Sequence, residues 1–215
     1  MTNSNDGINL FNVNQSAFGQ FFRVTGDGVT AGSGGTMTAV NRGLVIDQSR
    51  NTSFSLMNID ANVTGVFTDG DNSEQPENLS LTSLSLTNST NAANWRGFDI
   101  NWGSAAHFDV MNVFTNNSIV SAGANSTGMR INIDRANPQV DFTIGGSNIN
   151  LTGAGSTGIQ LITNGFGPIL PQNSGGIGLT AAANNTVVAP VILNTVPQNG
   201  ATIEGQLLIN NVLQP

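Results

Sequence analysis

The chain contains no cysteine, no lysine and no tyrosine, and His107 is its single histidine. Without Cys a disulfide framework is excluded, and one His cannot build the usual zinc ligand sets. Charged residues make up 9% of the sequence, well below the roughly 25% of an average globular chain. All six basic residues are Arg, and the formal net charge is −7. A nucleic-acid partner is therefore not expected, because phosphate binding needs concentrated positive charge. No run approaches the ~20 apolar residues of a spanning helix, so membrane insertion is not expected either. The opening Met1-Thr2-Asn3-Ser4-Asn5-Asp6-Gly7 has neither the basic nor the apolar region of a secretory signal.

Asparagine and glycine are abundant instead. There are 31 Asn and 26 Gly in 215 residues, so about one residue in four favours turns. Apolar residues make up 38%, enough for the core of one domain. The excess of Asn, Ser, Thr and Gly without Lys or Cys is a composition associated with outer-surface and virion proteins.

The middle of the chain repeats. Segments beginning at Gly43, Gly65, Gly97, Gly128 and Gly158 are 22, 32, 31 and 30 residues apart. One residue after each Gly stand Leu44, Val66, Phe98, Met129 and Ile159; three after stand Ile46, Thr68, Ile100, Ile131 and Leu161. Period-2 alternation of this kind predicts a strand with one buried face. On the opposite face Asp47, Asp69, Asn101 and Asn132 would form a column. A second register aligns Phe54-Ser55-Leu56-Met57-Asn58-Ile59 with Phe108-Asp109-Val110-Met111-Asn112-Val113, each beginning eleven residues after its Gly. Leu79–Leu84 and Val140–Ile144 take the corresponding places in the other segments, and Ile119-Val120 and Ile149-Asn150-Leu151 supply a third short piece. Gly/Asn/Ser clusters such as 123–127 and 153–157 separate the pieces. Two or three short strands per segment describe one coil of an all-β parallel solenoid, whose coils bury a continuous core only when stacked. The alternative is a β-sandwich, which also has regularly spaced short strands.

Residues 43–186 form the expected solenoid body. Residues 1–42 are read as an N-terminal cap or attachment segment with a glycine-rich linker at 26–35. Residues 187–215 are read as a C-terminal cap, with strands 187–193 and 201–210 paired as a hairpin around Pro197-Gln198-Asn199-Gly200. Phe11, Phe18, Phe21 and Phe22 are too many for a short Gly/Asn-rich segment to cover alone, so some are expected in an assembly contact.

The repeat resembles that of right-handed parallel β-helix proteins of the pectate-lyase-like class over roughly residues 43–190. Thr202-Ile203-Glu204-Gly205-Gln206-Leu207-Leu208-Ile209-Asn210 is similar to a stretch seen in phage tail-fibre proteins. The resemblance implies a non-catalytic virion surface protein, a tail spike, tail fibre or capsid decoration. It also implies a homotrimer in contact with other virion proteins and with host-surface polysaccharide. Two alternatives belong to other classes: a polysaccharide-cleaving β-helix enzyme, and a bacterial surface-layer or adhesin protein.

Chemistry-bearing clusters are sparse. An enzyme of this architecture needs carboxylates gathered from neighbouring coils. Asp99 and Asp109 flank His107 in one segment, while Asp60, Asp134 and Asp141 lie in others. Ser104-Ala105-Ala106-His107 does not match a Gly-His-Gly signature. With Lys absent, a lyase base would have to be Arg96, Arg130 or Arg135, and Arg stays protonated. Asp99 and Arg130, at equivalent outward positions of successive segments, read as an ion pair. Asp69-Gly70-Asp71-Asn72 lacks the later bidentate Glu of a calcium loop. No catalytic residue, metal or cofactor is therefore assigned. Trp95, Trp102 and Phe67 are the candidates for contact with a sugar ring or a neighbouring subunit.

Overall fold

A computed structural model of the chain describes residues 5–13, 21–69, 78–102, 111–134, 140–164 and 176–214. All regular structure among them is β, and no helix is long and apolar enough to cross a membrane. The strands fall into three rows. The first row holds β1 (Asp6–Phe11), β3 (Gly35–Asp47), β5 (Met57–Asp69), β8 (Arg96–Trp102), β11 (Thr127–Asp134), β14 (Thr157–Asn164) and β17 (Val191–Gln198). The second is a 7-stranded sheet of β2 (Phe22–Val24), β4 (Thr52–Ser55), β6 (Ser80–Thr82), β9 (Met111–Thr115), β12 (Val140–Gly145), β15 (Gly176–Ala181) and β18 (Thr202–Gly205). The third continues from the N-terminal parts of β3 and β5 through β7 (Ser85–Asn88), β10 (Ser118–Ser121), β13 (Asn148–Leu151) and β16 (Thr186–Val188). β19 (Leu207–Ile209) extends that row through a parallel Asn185–Ile209 bridge. β3 and β5 run from the third row into the first without a break, so those two rows form one 11-stranded sheet that wraps around the core.

Every pairing is parallel except the last, in which β20 (Val212–Gln214) returns antiparallel to β19. Parallel partners require long crossovers, and here each crossover visits the other two rows. The register is that of the repeat. Ile8, Leu44, Val66, Phe98, Met129, Ile159 and Leu193 follow one another as paired residues. The next inward column is Leu10, Ile46, Thr68, Ile100, Ile131, Leu161 and Thr195. All nine apolar positions expected from the repeat in these two columns are buried. From the other rows come Phe54, Leu81, Phe114 and Ile144, and Ile59, Leu86, Ile119, Ile149 and Val187. Phe98, Phe114 and Phe142 stack at centroid distances of 5.5 and 5.6 Å, which ties the first row to the second across the core.

The repeating glycines are required by close approach. A Cβ on Gly43 would lie 2.4 Å from the carbonyl oxygen of Gly65, and one on Gly97 2.5 Å from that of Gly128. The same contact recurs from Gly7 to Gly43, from Gly65 to Gly97 and from Gly128 to Gly158, so the column begins one coil earlier than the sequence pattern indicated. The corners explain the asparagines. Among the described residues, ten of the thirteen non-glycine positions with positive φ are Asn, the residue that best tolerates left-handed backbone after Gly. Leu56, Ser83, Asn116 and Gly146 occupy one such corner on successive coils, with φ of 56°, 54°, 57° and 68°. Each donates its N–H to the coil beyond: Leu56 to Thr82, Ser83 to Thr115, Asn116 to Gly145 and Gly146 to Ala183.

Four expectations need correction. Phe54 pairs with Leu81, which pairs with Phe114, so Phe114 and not Phe108 is its counterpart. Residues 1–42 are not wholly separate from the stack, since β1, β2 and the start of β3 are members of its rows. The glycine-rich stretch is a tied corner: Asp27 accepts from the Val29 and Thr30 amides, and Gly34 donates to the Leu56 carbonyl. The segments around Pro197–Gly200 do not pair with each other. β17 pairs with β14 and β18 with β15, both parallel, and the terminal hairpin is β19–β20 around Asn210-Asn211.

Candidate functional site

The outward side of the first row carries the most distinctive side chains. Asn9, Val45, Phe67, Asp99, Arg130, Gln160 and Asn194 form one column of paired residues. Strand alternation puts all of them opposite the core, and in-register stacking puts each beside the next at about 4.8 Å.

Asp99 lies at the centre and is 2% exposed. Arg96 donates to its Oδ2, and Arg130 Nη1 to its Oδ1 at 2.8 Å. The same Arg130 nitrogen reaches Asn101 Oδ1 at 2.8 Å, and Asn132 Nδ2 reaches that oxygen at 3.3 Å. The Asp99–Arg130 pair expected from the repeat is present, and Arg96, three residues before Asp99, completes a triad. Both carboxylate oxygens are engaged by guanidinium groups, which makes a fixed salt-bridged platform. One coil away the Arg42 guanidinium lies 5.4 Å from the centre of the Phe67 ring and pairs with both Asp6 oxygens at 2.8 Å. Hydrogen bonding to Asp6 raises the Arg42 pKa above its ordinary value.

The candidate contact residues separate in space. Phe67 is half-buried on this outward face. Trp95 is not a surface contact: it is fully buried in the core. It follows a corner with positive φ at Asn91 and Asn94, and its carbonyl accepts from the Thr127 N–H of the next coil. Its Nε1 has no hydrogen-bond partner among the described residues. Trp102 ends β8 with its backbone opposite Ile133; its side chain lies outside the described set. Phe11 and Phe21 are 60% and 56% exposed, whereas Phe22 packs on Phe54 at 5.8 Å and is part of the core margin. Phe18 lies outside the described residues.

The acidic residues weighed for catalysis do not converge where they are described. Asp99 is on the first row, Asp141 on the second and Asp60 on the third. Asp60 accepts from the Ser89 amide at 2.9 Å and the Ser89 hydroxyl at 2.6 Å, which makes it a corner clasp. The side chain of Asp134, and all of His107, Asp109 and Arg135, lie outside the described residues. Sequence reasoning missed a shallow groove of about 410 Å³ on the third row, lined by Thr87, Asn88, Val120, Ser121, Asn150 and Thr152. Its Asn88 is already bonded to Ala92 and Ser121.

The chain matches no protein-family model, no curated protein and no solved structure.

Proposed function

We propose that the chain is a right-handed parallel β-solenoid with a non-catalytic structural role on a particle surface, as a virion tail spike, tail fibre or capsid decoration assembled as a homotrimer. The observation that carries this reading is the parallel stacking of the described strands from β1 to β18, in register apart from the shifts between Met37 and Arg42 in the β3–β5 pair. Such a stack is stiff along its axis and ties its surface groups to each other, properties of a display scaffold. Right-handedness follows from the preference of parallel crossovers. The separation of Asp60, Asp99 and Asp141 onto three rows, with Asp99 engaged by two Arg, supports a role without acid–base chemistry. A face with Phe67, Arg42, Asn101 and Asn132 suits contact with host glycan, because sugar rings stack on aromatic faces and bond to amides.

The test has two arms. Negative-stain images of the native source, labelled with antibody against this chain, should place it on a particle; a flat lattice on a cell envelope would favour the surface-layer alternative. Purified protein incubated with host-surface polysaccharide should release no reducing ends or unsaturated products. Turnover that disappears in Asp99→Ala or Asp109→Ala would replace this reading with the glycan-cleaving enzyme.

A further inference from the structure

The two ends of the stack are complementary, and one short strand keeps them apart. Each row contains one strand from each successive coil, the third row ending at β19. β20 is added beyond β19 on that row alone, and it is the only antiparallel strand among those described. At the C-terminal end the third row is therefore one strand taller than the other two, a step of about 4.8 Å. Another stack cannot continue all three rows across that step.

Without the step, the ends would match. β18 and β2 are the opposite edges of one sheet whose pairings are all parallel, so β2 of a second copy meets β18 with the strand direction used throughout the sheet. Glu204 is exposed and outward on β18, and its column runs through Gly178, Asp141 and Met111 to the position of Phe21. Phe21 is 56% exposed, and the guanidinium of Arg23, which belongs to the neighbouring outward column of Ser53, Ser80 and Val113, lies 4.6 Å from its ring centre. Continued stacking would thus set Glu204 of one copy against Phe21 of the next, beside the Arg23 guanidinium that lies over that ring. On the first row, Leu193 and Thr195 would meet Ile8 and Leu10, repeating the inward columns. Such a junction is head-to-tail and does not close on itself, so it propagates into a filament.

We propose that β20 is a terminator that prevents head-to-tail polymerisation of this chain through a latent junction between β17–β18 of one copy and β1–β2 of another. Asn210 anchors it, with its side chain bonded to both the N–H and the carbonyl of Val187 at 2.9 Å. Val212 and Leu213 themselves are more than half exposed, so β20 contributes little to the core it borders.

The experiment compares the full chain with a chain ending at Asn211, by light scattering and electron microscopy at equal concentration. The full chain should stay a closed species, and the truncated chain should grow concentration-dependent filaments of stack width. In the truncated background Glu204→Arg should slow growth about tenfold at low salt, and adding Arg23→Glu should restore it. Full chain added at one part in ten should shorten the filaments, since it can dock but cannot be extended. Val212→Gly with Leu213→Gly provides a second variant that keeps the length and weakens only the β20 pairing. A folded truncated chain that does not elongate overturns the proposal, as do filaments indifferent to the charge swap. Loss of β circular dichroism in both variants overturns it too, because the terminator role requires the stack to stand without β20.

Discussion

Single residues in this chain are constrained mainly by the residue one coil away. Gly97 is the sharpest case. A methyl group there meets the Gly128 carbonyl at 2.5 Å and Ile119 Cγ2 at 2.6 Å. Gly97→Ala should destabilise by about 1–3 kcal/mol or more through overpacking, read as a lower urea midpoint. Phe98→Ala, in the adjacent buried column, should cost about 3–5 kcal/mol through lost burial and a cavity. A loss below about 1 kcal/mol at Phe98 would contradict its place against Phe114. Buried amides act similarly. Asn117 accepts from the Leu84 N–H at 3.0 Å and donates to the Leu81 carbonyl at 3.0 Å. Asn117→Leu should cost more than Asn116→Gly, whose position asks only for positive φ. Paired denaturation curves for these two variants check the order.

At the scale of elements, the first row was the most legible part of the sequence. Its glycines and alternating apolar residues are fixed by contacts that repeat on every coil, so the pattern survives in the letters. The second row was less legible, because the length between rows varies and a fixed offset of eleven residues from Gly fails. Phe54 and Phe108 share flanking letters, yet the partner that fills the core beside Leu81 is Phe114. Trp95 left no periodic signal, since the equivalent places on the next two coils are held by Ser126 and Ser156. The glycine-rich corner read as a linker because its ties come from one carboxylate. Hydrogen bonds from the Thr30 hydroxyl and amide, the Val29 amide and the Ser33 hydroxyl hold the Asp27 carboxyl well below the usual carboxylate range. A folded pKa depressed in this way adds stability above the unfolded value of about 3.9 and loses it as pH falls through the folded value. The 27–33 corner should therefore keep its structure at pH 3, where ordinary carboxylates are mostly protonated. The Asp27 carboxyl resonance should titrate later than that of other Asp residues. Titration near pH 4 would contradict the corner geometry.

At the scale of the whole molecule, parallel strands pair from β1 through to β17, and the proposed structural role and the proposed end-to-end junction both rest on that stacking. Because the sequence has no Cys, spin labels can be placed cleanly on paired cysteine substitutions. Asn9 and Gln160 are separated by five register steps in one outward column, and Asn9 and Asn194 by six. At about 4.8 Å per step, backbone separations of roughly 24 and 29 Å follow. The measurement is double electron–electron resonance on Asn9→Cys/Gln160→Cys and Asn9→Cys/Asn194→Cys. The account predicts two single narrow distributions near those values, the second longer by about one strand spacing. Equal distances, or a shorter second distance as a sandwich that folds back on itself would give, would contradict it.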